Sequence, residues 1–135
     1  MKPLVSLLGG LMLAAAALGA DETAAPADAW PMARGCLAGT GASAATLVLP
    51  LAEAWHREFD GTAFGAVPVI GDGVVFVGDL DGTFRAVALA DGADRWSFVA
   101  KDAGFPSAAA LGTAGDVRLV VVGDDGGMVR AFDAA

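Results

Sequence analysis

The sequence predicts an all-β fold assembled from a repeated four-stranded unit, and three observations carry that expectation. From about residue 51 onward, short β-branched runs alternate with glycine-aspartate punctuation. No stretch beyond the first twenty residues has the spacing of an amphipathic helix. The same residue types also return at an interval of about 40 positions, which is the length of a repeat rather than of a single turn.

The strands read off in order. Val74-Val75-Phe76-Val77 and Leu119-Val120-Val121-Val122 are short apolar runs suited to a buried strand. Phe84-Arg85-Ala86-Val87 and Val129-Arg130-Ala131-Phe132 place a charge where an exposed face would want it. Gly78-Asp79-Leu80-Asp81-Gly82 and Gly123-Asp124-Asp125-Gly126-Gly127 read as hairpin turns, because Gly and Asp accept the backbone angles of a tight reversal. The alanine-rich stretch Ser107 to Leu111 is assigned to a strand by its place in the repeat. Regular structure is expected to begin near Leu51, and Trp30 to Thr46 to be ordered loop.

Trp55 returns as Trp96 at an offset of 41, together with Phe64 and Phe105, Ile70 and Leu111, and Gly71 and Gly112. Val77-Gly78-Asp79 returns as Val122-Gly123-Asp124 at 45, as does Arg85-Ala86 as Arg130-Ala131. The offset changes at Thr113-Ala114-Gly115-Asp116, where Asp72-Gly73 serves the first copy. An insertion confined to a turn, with strands aligned on both sides, is how a structural repeat varies. A period of this length filled by short strands implies β-propeller blades of four antiparallel strands. A lone sandwich would need these spacings to arise by coincidence. Trp55, Gly78, Gly82, Gly123 and Gly127 mark the repeat, and residues 30–135 hold its opening blades, the second of which breaks off.

Before them come two segments of different character. Lys2 followed by the apolar run Leu4 to Leu18 and the small residues Gly19 and Ala20 has the order of a secretory signal peptide, assigned to residues 1–20. The run is short for an uncleaved span, which needs about 20 apolar residues. Asp21 follows, where a lipid anchor would require cysteine. Residues 21–29 read as a flexible leader. The expectation is a periplasmic or secreted protein with no stable membrane span after cleavage.

Charge narrows the partners. Eight basic residues face sixteen acidic ones, a formal net charge of −8. Nucleic acid and anionic membranes reward basic patches, so neither is an expected partner. Cys36 is the one cysteine and reads as a free, half-buried thiol, the alternative being a disulfide to a cysteine in a later part of the protein.

Ala86-Val87-Ala88-Leu89-Ala90-Asp91-Gly92-Ala93-Asp94-Arg95-Trp96 resembles the tryptophan-docking repeat of the pyrroloquinoline-quinone-like (PQQ-like) propeller family. Ala86, Gly92 and Trp96 fit its pattern, while Ala88 replaces the usual aspartate and Asp91 the usual threonine. A second copy opens at Ala131-Phe132-Asp133 with the aspartate intact. Trp30-Pro31-Met32, Arg34-Gly35 and Thr40-Gly41 resemble the lead-in of exported members. The resemblance implies that Trp96 docks between blades, and that partners include the remaining blades of the same propeller and an envelope protein.

That family includes quinone-dependent dehydrogenases as well as scaffolds of barrel assembly, so the resemblance does not fix an activity. The enzymes need a calcium set that includes Asn, and this chain has no asparagine. Asp79, Asp81, Asp124 and Asp125 cluster as calcium ligands would, but the distal Glu of a calcium loop is missing and both clusters fall in turns. His56 lacks a nucleophile or second ligand nearby and reads as a surface or edge residue. No catalytic, cofactor-binding or metal residue is therefore assigned. The expected function is a non-catalytic scaffold of the cell envelope. The alternative is a quinone (PQQ) enzyme whose PQQ and calcium site lies in later blades.

Export is directly checkable. N-terminal sequencing of the expressed protein is expected to begin at Ala20 or Asp21, and an intact Met1 in a soluble cytosolic fraction would contradict it.

Overall fold

The computed structural model describes residues 29–135; the expected signal peptide and nearly all of the leader lie outside them. Two antiparallel sheets account for the regular structure, and no helix occurs among the described residues. The first sheet contains β1 (Val69–Gly71), β2 (Val74–Gly78), β3 (Thr83–Ala88) and β4 (Asp94–Val99) in chain order. The second contains β5 (Ala110–Ala114), β6 (Val117–Gly123) and β7 (Val129–Asp133).

The repeat seen in the sequence is a repeat of register. Ile70 pairs with Val75 in the first sheet, and Leu111 with Val120 in the second. Phe76 opposite Ala86 becomes Val121 opposite Ala131, and Val77 opposite Arg85 becomes Val122 opposite Arg130. The insertion lengthens a hairpin rather than a loop. Thr113 pairs with Arg118 and Ala114 with Val117, so Gly115-Asp116 now closes the turn that Asp72-Gly73 closes in the first sheet. Adding two residues to each strand keeps every side chain on its original face, because strands have a period of two.

Alternation then sorts each sheet into two faces. Val69, Val74, Phe76, Phe84 and Ala86 lie on one face of the first sheet and are buried. That face packs against Leu111, Val120, Val122 and Phe132 of the second sheet. Phe76, Phe84 and Phe105 are almost wholly buried, and each such side chain contributes about 1.5–3 kcal/mol. By register, the receiving face of the second sheet is equivalent to Ile70, Val75, Val77 and Val87, on the opposite face of the first sheet. The sheets therefore stack in one sense, the front of the first on the back of the second.

The lead-in segment fastens this stack. Trp30 exchanges both backbone hydrogen bonds with Ile70, at 2.7 and 2.9 Å, and the Leu111 amide donates to the Pro31 carbonyl at 2.7 Å. Adjacent residues thus hold the first strand of each sheet.

Three expectations need correction. Regular structure begins at Val69 rather than near Leu51, because residues 51–59 run beside the first sheet without a ladder partner among the described residues. Of the alanine-rich stretch, only Ala110 and Leu111 join a strand, with Ser107 to Ala109 preceding β5. Arg85 and Arg130 are not on an open face; each is drawn inward by a buried aspartate.

Gly78 lets the sheets approach, since a Cβ there would overlap the Cβ of Phe105. Gly78→Ala is expected to destabilise by about 1–3 kcal/mol, as other overpacked sites do. Urea unfolding measures this, and an unchanged midpoint would contradict the close approach.

Candidate docking site

Each sheet carries the same polar device at its β2–β3 or β6–β7 turn. The Asp79 side chain is fully buried and accepts from the backbone amides of Thr83 at 2.7 Å and Asp81 at 3.1 Å. Its other oxygen accepts from Arg85 Nη2 at 3.1 Å. Asp124 repeats this, accepting from the Met128 amide at 2.8 Å and from Arg130 Nε at 2.9 Å and Nη2 at 2.8 Å. The Met128 amide, with help from Arg130, holds the Asp124 carboxyl below its ordinary value. These aspartates shape turns and anchor arginines, and among the described residues no group of three acidic, histidine or cysteine side chains is placed to hold a metal.

The arginine then reaches the preceding structural unit. Arg130 lies over the ring of Phe98 in the first sheet, 4.9 Å from its centroid. Arg85 lies over Phe59 at 4.4 Å, and Phe59 belongs to the segment before the first sheet. Such contacts contribute about 0.5–1 kcal/mol at exposed sites and more when desolvated. The segment around Trp55 therefore stands to the first sheet as β4 stands to the second.

The residues of the docking motif separate in space. Gly92 has φ +71°, and a Cβ on it would come within 2.7 Å of the Trp55 ring. Trp55 Nε1 donates to the Leu89 carbonyl at 2.8 Å. Arg57 adds a bond to the Gly92 carbonyl at 2.6 Å and a two-pronged contact with Asp94 at 3.1 and 3.2 Å. The glycine thus seats the tryptophan of the preceding repeat, not Trp96 of its own motif. Sequence reading missed this, although the 41-residue spacing of the two tryptophans held the signal.

Trp96 sits opposite Ala86 on β4. Its ring lies 5.9 Å from Phe76, 6.0 Å from Phe84 and, across the sheets, 5.4 Å from Phe132. Phe132 also stacks on Phe84 at 5.7 Å with planes 21° apart. The Trp96 indole N–H is buried without an acceptor. Ala131 is exposed on β7, and the Asp133 carboxylate accepts from the Ala135 amide at 3.0 Å. Gly82 is buried beneath the carbonyls of Ala103 and Ala100, whereas Gly127 is open.

An apolar cavity of about 310 Å³ lies between residues 55–68 and the back of the first sheet. Trp55, Phe59, Phe64, Val75, Val77 and Val87 line it, with Arg57 as its one charged residue. At the equivalent contact between the sheets, Phe132 replaces Val87, and Phe105, which replaces Phe64, is fully buried. His56 is exposed and meets Glu53 at 3.0 Å. Cys36 remains free, and its contact with Thr40 Oγ1 at 3.4 Å pulls the thiol below its ordinary value. No family model matches the chain, and no curated protein matches it.

Two outcomes test this site. Trp96→Ala removes a large interfacial ring and is expected to cost about 3–5 kcal/mol, against almost nothing for His56→Ala; equal denaturation midpoints would contradict the assignment. The lowered Asp124 carboxyl stabilises the fold above the ordinary value of 3.8 and ceases to do so as pH falls through its folded value. The stability gap between wild type and Asp124→Asn should therefore be widest near neutrality and close on acidification. A gap independent of pH would exclude that role.

Proposed function

We propose that this chain contributes blades to an exported propeller of the PQQ-like repeat kind, serving as a non-catalytic protein-binding scaffold in the cell envelope. The observation that carries the reading is the register-true repetition of the two sheets, stacked front to back. Front-to-back stacking offers a new face with every unit added, which suits a ring of blades. The Trp30-Pro31 clasp supports the same reading by holding successive innermost strands at one place. The remaining blades come from outside these two sheets.

Among the described residues the charged groups at the candidate site are already engaged, so the enzyme reading would need its quinone site in other blades. Arg57, Arg85, Arg118 and Arg130 each already face a carboxylate. The cavity is otherwise apolar, a poor match for a quinone that carries several carboxylates. Asp79 and Asp124 are committed to turns and arginines, so neither is free to take a substrate proton.

Titration of the propeller with its other blades present, using pyrroloquinoline quinone and calcium, tests the choice. No saturable change in tryptophan fluorescence and no dye-linked alcohol oxidation are expected. Saturable binding with turnover would overturn the scaffold reading in favour of the dehydrogenase.

A further inference from the structure

The two sheets form a wedge. Their later strands are held apart by large rings, Trp96 on β4 meeting Phe132 on β7 at 5.4 Å. Their first strands converge instead: β1 approaches β5, and a Cβ on Gly71 would overlap the Leu111 side chain. An ion pair between Asp72 and Arg118, at 2.9 Å, closes the same narrow side. Wedges stacked in one sense turn into a ring whose axis lies beyond the narrow side. The free edges of β1 and β5 therefore look toward that axis.

The lead-in lies on those edges. Within the sheets, β1 pairs only with β2 and β5 only with β6. On the other edge of β1, the Trp30 amide donates to the Ile70 carbonyl at 2.7 Å, and the Trp30 carbonyl accepts from the Ile70 amide at 2.9 Å. On the other edge of β5, the Leu111 amide donates to the Pro31 carbonyl at 2.7 Å. The chain then folds back on itself, the Gly35 amide donating to the Met32 carbonyl at 2.9 Å and the Gly41 amide to the Arg34 carbonyl at 3.0 Å. Gly35 is buried at φ +84°, and a Cβ on it would strike the Trp30 ring. Residues 30–41 are thus a self-bonded loop resting on two inner strand edges.

We infer that residues 30–41 fill the central channel of the ring as an internal plug, so that the partner of the scaffold docks outside the channel. The inference rests on the stacked-blade reading and adds to it where the partner engages. Inner strand edges left bare present unpaired donors and acceptors, and backbone groups enclosed without partners are costly. The lead-in supplies those partners from two adjacent residues, one for each sheet. A partner strand entering along the axis would have to displace bonds already made within the chain.

Paramagnetic labelling of the mature protein, with its other blades present, tests this. Ala33, exposed on the loop, is changed to cysteine in a Cys36→Ser background and given a nitroxide. A plug on the axis stands near the first strand of every blade. Methyl signals from the first strands all round the ring are therefore expected to lose most of their intensity. The amides of Ile70 and Leu111 are expected to be protected from hydrogen exchange, and to lose that protection when residues 30–41 are replaced by a Gly-Ser linker. Broadening confined to the two sheets described above, or exchange at Ile70 and Leu111 unchanged by the linker, would overturn the inference. Small-angle scattering separates the two ways of failing. A disc without general broadening keeps the ring and removes the plug; an elongated rod removes both.

Discussion

Everything in this molecule depends on one sheet face finding a second. A four-stranded sheet this small cannot bury its own apolar side chains, and the front of the first sheet carries Phe76, Phe84 and Trp96 together. The second sheet answers with Val120, Val122 and Phe132. Gly78 brings the backbones close enough for Phe105 to fill the remaining space. The aromatic rings meet at offset or tilted angles, as their quadrupoles prefer.

The polar groups serve that contact rather than compete with it. A buried carboxylate would be costly alone, but Asp79 and Asp124 each gather turn amides and an arginine. Each arginine is thereby held over an aromatic ring of the unit before it. Turn geometry, charge neutralisation and sheet-to-sheet docking are thus one linked arrangement, repeated at an offset of 45 residues.

Strand positions, hairpin turns and the repeat were legible in the sequence because each has local chemistry: β-branched runs, Gly-Asp reversals and tryptophans at a fixed spacing. The change of offset was legible too, though the lengthened hairpin behind it was not, since Thr113 and Ala114 carry no strong strand signal. Residues 51–59 carry the strand formers Trp55 and Phe59 among Ala and Glu residues yet lack a ladder, because a strand needs a neighbour as well as a few favourable side chains. The inward turn of Arg85 and Arg130 was hidden because their aspartate partners look like ordinary turn residues. The seating of Trp55 on Gly92 was missed for a related reason. A motif written along one strand conceals that its glycine and its tryptophan serve different neighbours.

The central claim is that Trp96 and Phe132 are packed together across the two sheets, and a double-mutant cycle between them tests it most directly. Trp96→Leu, Phe132→Leu and the double variant are compared by urea unfolding at one protein concentration. Rings in contact are expected to give a coupling energy of about 0.5–1.5 kcal/mol. Strictly additive losses would contradict the stacked arrangement on which the rest of the account is built.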